Sequence, residues 1–138
     1  MVVDASVAVK WFLPETGSDL ALSLLASDAV FHAPELLRLE IANALWKNVL
    51  KKIVAREVFA MAAREIERVI GHWHDPAPFV EAAFGHACDH SHPIYDFIYL
   101  ELARSLGTQL VTADIRLLRV APKGLAVALA DWKQEKSS

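Results

Sequence analysis

The sequence predicts an α/β sandwich in three layers, with a mostly parallel central sheet between helices. Three observations predict it. Short apolar runs at Val2 to Ala5, Ala29 to His32, "TQLVTAD" and Leu125 to Leu129 alternate with longer segments of helical periodicity. Strands joined through helices pair in parallel, and such sheets are covered on both faces. Two of the runs also end on a carboxylate, Asp4 and Asp114. In these folds ligands collect in the crevice beyond the carboxyl ends of the strands.

Each element has a local reason. Val2 to Ala5 is a short buried strand, and Ser6 to Phe12 one or two helical turns stopped by Pro14. Ser18 to Leu25 forms a second helix, and Ala29 to His32 a second strand. Pro34 suits the first turn of a long helix, where its missing N–H leaves no bond unmade. In that helix Leu37, Ile41, Leu45 and Val49 recur every four residues, with Ala44 and Leu50 beside the stripe. The next helix spans Arg56 to Ile70, with Val58, Ala62, Ile66 and Val69 or Ile70 on one face, and Gly71 ends it. "HWHDPAP" is a connection. Phe79 to Cys88 is helical, and so is Tyr95 to Ser105, behind Pro93 and ended by Gly107. "TQLVTAD" is a compact strand closed by Thr112 and Asp114. Arg116 to Val120 is a short helix, and Leu125 to Leu129 the last strand. The polar tail "KQEKSS", residues 133–138, is expected to fray. Without a repeat, a low-complexity tract or a linker, residues 1–138 read as a single domain.

Composition narrows the class. Of 138 residues 54% are hydrophobic and 22% charged, enough to build a core and too apolar for a disordered chain. No apolar stretch is long enough for a membrane helix, and no secretory leader is expected. Cys88 is the only cysteine, so there is no internal disulfide, and a reducing cytoplasm is the expected compartment. The net charge of −3 argues against a general nucleic-acid coat, but not against an enzyme acting on nucleic acid through acidic residues.

Two further acids lie on helices. Glu40 sits in "LLRLEIANALW", with Asn43 on its face, and Asp96 opens "YDFIYLELA". A lone acid among apolar neighbours is costly unless paired, capped or bound to a cation. Taken singly, Asp4 and Asp96 can be helix caps, Asp114 a cap or turn residue, and Glu40 a surface charge. Taken together, four converging carboxylates would raise one another's pKa, and a hard Mg²⁺ or Mn²⁺ prefers such an all-oxygen set.

The stretches "VVDASVAVKWFLPE", "APELLRLEIANAL", "HPIYDFIYLELA" and "QLVTADIRLL" resemble the PIN-domain family, and within it the VapC-type ribonuclease toxins of type II toxin–antitoxin pairs. The likeness runs from Val2 to about Val120, with the motifs in the family's order. It implies a PIN-like fold and an acidic catalytic and metal site at Asp4, Glu40, Asp96 and Asp114, supported by Ser6, Asn43 and Thr112. It implies a Mg²⁺- or Mn²⁺-dependent endoribonuclease in which activated water attacks the phosphodiester, leaving 5′-phosphate and 3′-hydroxyl ends. A small antitoxin that itself binds DNA and a second copy of the chain are the implied protein partners. Phe97 stands where a small residue is usual, and no further acid follows Asp114.

Lys10 and Arg116, next to site acids in sequence, are the candidate RNA contacts. Trp11 and Trp46 suit core or dimer packing better than base stacking. His86 and His90 are spaced i, i+4, with Cys88, Asp89 and His92 nearby, as zinc ligands can be, but no second ligand pair is evident. A non-cleaving PIN-like RNA-binding or scaffold domain is the alternative within the family. A metal-dependent phosphatase is the alternative outside it, but there Ser6 stands where a second Asp is needed.

Overall fold

Five strands, all parallel, form the central sheet in the computed structural model, which describes residues 1–132. The tail expected to fray, residues 133–138, lies outside the described residues. In chain order the elements are β1 (Val2–Val3), α1 (Ala5–Ala8), α2 (Ser18–Leu25), β2 (Phe31–Pro34), α3 (Leu36–Leu50) and α4 (Val58–Val69). They continue with β3 (Ile70–His74), α5 (Val80–His90), α6 (Ile94–Leu106), β4 (Leu110–Thr112), α7 (Ile115–Val120) and β5 (Ala126–Ala128). The sheet order is β3-β2-β1-β4-β5.

That order places the site. From β1 the chain builds outward to β2 and β3, then returns to the other side of β1 for β4 and β5. The reversal opens a crevice at the carboxyl ends of β1 and β4, which are paired with Val2 opposite Leu110 and Val3 opposite Val111. Successive strand side chains point to opposite faces, and Val2, Val3, Leu110 and Val111 are all fully buried. Both faces of the sheet centre are therefore covered, as the three-layer expectation requires. Helix α6 packs across β1, β2 and β4 with α5 against it, while α1 packs on α3 and β4. Phe97, Ile98, Tyr99, Leu100, Leu102 and Ala103 give α6 an unusually wide buried surface. Gly107, at φ 64°, ends it in the left-handed conformation expected after a helix.

The sheet expected to be mostly parallel is parallel throughout. The structure corrects three readings. The segment read as the end of a helix and a connection is strand β3, with His72 opposite His32 and His74 opposite Pro34. Its apolar signal is thin because β3 is an edge strand, on which only Ile70 is buried while Gly71 and His72 are exposed. Pro34 is the last residue of β2 and not part of the first helical turn, for Glu35 caps α3; Glu35 N–H donates to the His74 carbonyl at 2.9 Å. Val2 to Ala5 is strand only through Val3, because Asp4 turns the chain into α1.

Candidate active site

Asp4 follows β1 directly and caps α1, its Oδ1 accepting from the Val7 N–H at 3.3 Å. The helix-cap reading is thus correct for Asp4, and it is not the whole of its role in the structure. Ser6 Oγ donates to the same Oδ1 at 2.6 Å, and Thr112 Oγ1 donates to Oδ2 at 2.5 Å. A hydroxyl has one hydrogen, so both Ser6 and Thr112 have spent theirs on Asp4 and otherwise act as acceptors. Ser6 Oγ accepts from Ala113 N–H at 2.9 Å, and Thr112 Oγ1 from Asp114 N–H at 3.1 Å. One small hydroxyl web thereby ties the end of β1 to the turn after β4, across more than a hundred positions.

Asp114 caps α7, with Oδ1 accepting from Arg116 N–H at 2.9 Å and Leu117 N–H at 3.4 Å. Asp96 lies in the first turn of α6 and not at its cap, which is Pro93. His92 Nε2 stands 2.6 Å from Asp96 Oδ2. Glu40, half-buried on α3, accepts at Oε1 from the hydroxyl of Tyr99 at 2.7 Å.

The electrostatics join these four. Burial pushes the Asp4 carboxyl up to about 7, against the hydrogen bonds from Ser6, Thr112 and Val7, and the Asp96 charge pushes it the same way. Burial also raises Asp96, which the hydrogen bond from His92 offsets and the Asp114 charge reinforces. Glu40 is raised by burial and by Asp96, while Tyr99 pulls it down. Asp96 is the common neighbour, close enough to repel Asp4, Glu40 and Asp114. Four acids from positions 4, 40, 96 and 114 therefore share one electrostatic site.

Its donors are all carboxylate oxygens, the chemistry a hard divalent cation selects. Among the described residues, no three His, Cys, Asp or Glu side chains close on a single point. Mg²⁺ does not require such a cage, because it keeps several waters and takes one or two carboxylates. The residues fit the group in donor type and in their surplus of negative charge.

The remaining candidates are less central. Asn43 is exposed on α3. Lys10 Nζ is engaged locally, 3.1 Å from Glu15 Oε1 and 2.7 Å from the Thr16 carbonyl. Arg116 is exposed on α7. His86 contacts Glu101 Oε1 at 3.0 Å, and with His90 and His92 it surrounds the Phe97 ring at centroid distances of 5.5 to 5.6 Å. Sequence reasoning assigned no role to Tyr99 and considered His92 only as a neighbour of the zinc-like His86 and His90 spacing. Tyr99 had a legible signal, since a tyrosine on an otherwise apolar helix face needs a partner for its hydroxyl once buried. His92 had only its i, i+4 spacing to Asp96.

Comparison with known proteins gives a consistent picture. The family model described as PIN domain matches residues 1–123. The chain is 28% identical over 124 residues to Ribonuclease VapC3 of Pyrobaculum aerophilum, covering 88% of this chain and 95% of that protein. It is 29% identical over 117 residues to Ribonuclease VapC1 of Mycobacterium tuberculosis, covering 84% and 86%. The crystal structure of PAE2754 from Pyrobaculum aerophilum superposes with a TM-score of 0.67 at 25% identity, over 94% of this chain and 88% of that one.

Proposed function

This chain belongs to the PIN-domain family, and we propose that it is a metal-dependent endoribonuclease, the toxin of a toxin–antitoxin pair. The observation that carries the proposal is the repulsion of Asp4, Glu40 and Asp114 against a shared neighbour, Asp96, in a partly desolvated crevice. Relatives named as ribonucleases, similar over most of their length, support the same reading.

Asp4, Asp96, Asp114 and Glu40 would hold one Mg²⁺ or Mn²⁺, which supplies positive charge for the phosphate oxygens and makes water easier to deprotonate. The protein's own part is positioning and proton handling. Ser6 and Thr112 lock Asp4 in one orientation, and Asp114 is fixed by the amides of α7. Glu40, raised toward neutrality by burial and held at Oε1 by Tyr99, is the group suited to take a proton from the attacking water. Attack in line with the 3′ oxygen leaves a 5′-phosphate and a 3′-hydroxyl.

A cytoplasmic location, a second copy of the chain and a small antitoxin complete the proposal, with DNA reached only through the antitoxin. No helix of the described residues is long and apolar enough to cross a membrane. A cavity of roughly 350 Å³ between α3 and α4, lined by Trp46, Val49 and Phe59, suits the apolar side chains of such a partner.

Incubating purified, antitoxin-free protein with total RNA and Mg²⁺, then mapping the new ends, tests the proposal. The expected result is a limited set of cuts bearing 5′-phosphates, abolished by EDTA and by Asp96→Asn. RNA that is bound and left intact would instead identify a non-cleaving PIN-like domain. Release of inorganic phosphate from small phosphomonoesters would identify a phosphatase.

A further inference from the structure

A second concave site lies beside the acids. It is a cleft of roughly 340 Å³ between α5, α6 and the end of α7. Phe97 closes its floor, His86 and His90 line one wall, and Arg104 and Arg119 stand at its rim with Glu101 between. Glu101 holds two of these groups in place, its Oε1 lying 3.0 Å from His86 Nε2 and 3.4 Å from Arg104 Nε. With one carboxylate against two guanidinium groups, the cleft is cationic even when its histidines are neutral.

Its position is set by elements already tied to the acids. Phe97 follows Asp96 in sequence, and His92 touches both, bonding Asp96 at 2.6 Å and meeting the Phe97 ring edge-on. Arg119 lies five residues beyond Asp114 on the helix that Asp114 caps, about 7 Å along its axis at 1.5 Å per residue. Arg104 lies eight residues beyond Asp96 on α6, about 12 Å along its axis. Through Phe97 and His92 the positively charged cleft is connected to the Asp96 end of the acidic site. A single strand held in the cleft would reach the acids within a few linkages.

We propose that this cleft is an RNA subsite, in which Arg104 and Arg119 bind a backbone phosphate while His86 and His90 face the adjoining base. The inference rests on the ribonuclease reading and deepens it, because that reading left the substrate contacts to Lys10 and Arg116. Lys10 is already engaged by Glu15 and Thr16. Phe97, the residue that departs from the family's small one, is what shapes the floor.

The test is binding of a fluorescein-labelled pool of randomised 20-nucleotide RNAs by the full chain in EDTA, followed by anisotropy from 50 to 300 mM salt. Arg104→Gln/Arg119→Gln is compared with wild type and with Lys51→Gln/Lys52→Gln, which removes equal charge at the α3–α4 turn. All four side chains are exposed, so the fold is retained. Each lost phosphate contact on a single strand lowers the salt slope by about 0.7, so removing the pair that holds the one phosphate should lower it by about 0.7 and weaken binding several-fold. The lysine pair should lose less. An unchanged slope for the arginine pair, or equal losses for both pairs, overturns the subsite and leaves the ribonuclease reading intact. No binding by the wild type in EDTA overturns the subsite as well, while the ribonuclease reading is judged separately by cleavage of total RNA with Mg²⁺.

Discussion

Two regions of one sheet bury titratable groups, and they respond oppositely to acid. At the carboxyl ends of β1 and β4, burial raises Asp4 to about 7, and it raises Asp96 and Glu40 as well. At the β2–β3 edge His32 stacks on His72 at 4.5 Å and meets His74 at 3.0 Å, and burial followed by its neighbours lowers its pKa. In both places the charged form is disfavoured. A lowered histidine is simply neutral at pH 7, so the edge is at rest there. A carboxyl that titrates near 7 is only half charged at pH 7 and becomes fully charged above it, so the acid end is relieved by a proton or by an external cation.

The largest effect expected from breaking this contrast is catalytic. Asp96→Asn and Asp114→Asn should each lower RNA cleavage at least a hundredfold, the scale of removing one group that stabilises developing charge. Melting temperatures measured alongside should change little. A variant that retains a tenth of the activity would remove its acid from the site.

Asp4→Asn turns an amide donor toward the hydroxyl of Ser6 or Thr112, so its readout is the change with pH: without divalent cations its stability relative to wild type should rise by about 2 kcal/mol from pH 4.5 to pH 8. The sign follows from the folded carboxyl titrating above its unfolded counterpart near 4. Its destabilising effect is full above about pH 7 and fades as pH falls toward 4, so the relative gain should accumulate between those values. A difference between variant and wild type that does not change with pH would reduce Asp4 to an ordinary cap.

Tyr99→Phe sharpens the same comparison. It removes the one hydrogen bond that holds Glu40 down, so the acid limb of the cleavage rate should move to higher pH, with a stability loss of about 1 kcal/mol. An unmoved limb would take the proton-accepting role away from Glu40.

The smallest effect lies at the edge. His32 titrates lower in the fold than in the unfolded chain, so its contribution is intact above about pH 6.5 and is lost as pH falls below that. His32→Gln should flatten the decline in melting temperature between pH 7 and 5.5, leaving activity unchanged. A decline as steep as wild type would place the acid sensitivity elsewhere.

Legibility in the sequence followed the same division. The acid end was readable because its strands are fully buried, so their apolar runs are dense and the carboxylates that end them stand out. Helix α6 was readable from Pro93 to Gly107 for the same reason. Strand β3 was not, because an edge strand buries little and its "IGHWH" mixes glycine and two histidines with its apolar residues. Pro34 misled because its tolerance at a helix start is equally a tolerance at a strand end, and only pairing with β3 decides between them. Ser6 and Thr112 were read from the sequence as support for the acids, but the hydroxyl web they form was not. Its cross-link from β1 to β4 depends on strand order, which no local pattern carries. Asp4 was posed as cap or site residue, and its two oxygens and extra lone pairs let it cap α1 and face the crevice together.

The central claim is that acids from opposite ends of the chain form one cation site, and Mn²⁺ titration calorimetry tests it without knowledge of the RNA. Wild type, Asp4→Asn and Asp114→Asn are titrated at pH 7.5, antitoxin removed and folding verified by circular dichroism. The account predicts saturable binding by the wild type, weakened at least tenfold in both variants. Equal binding by all three, or none by folded wild type at millimolar Mn²⁺, would contradict it.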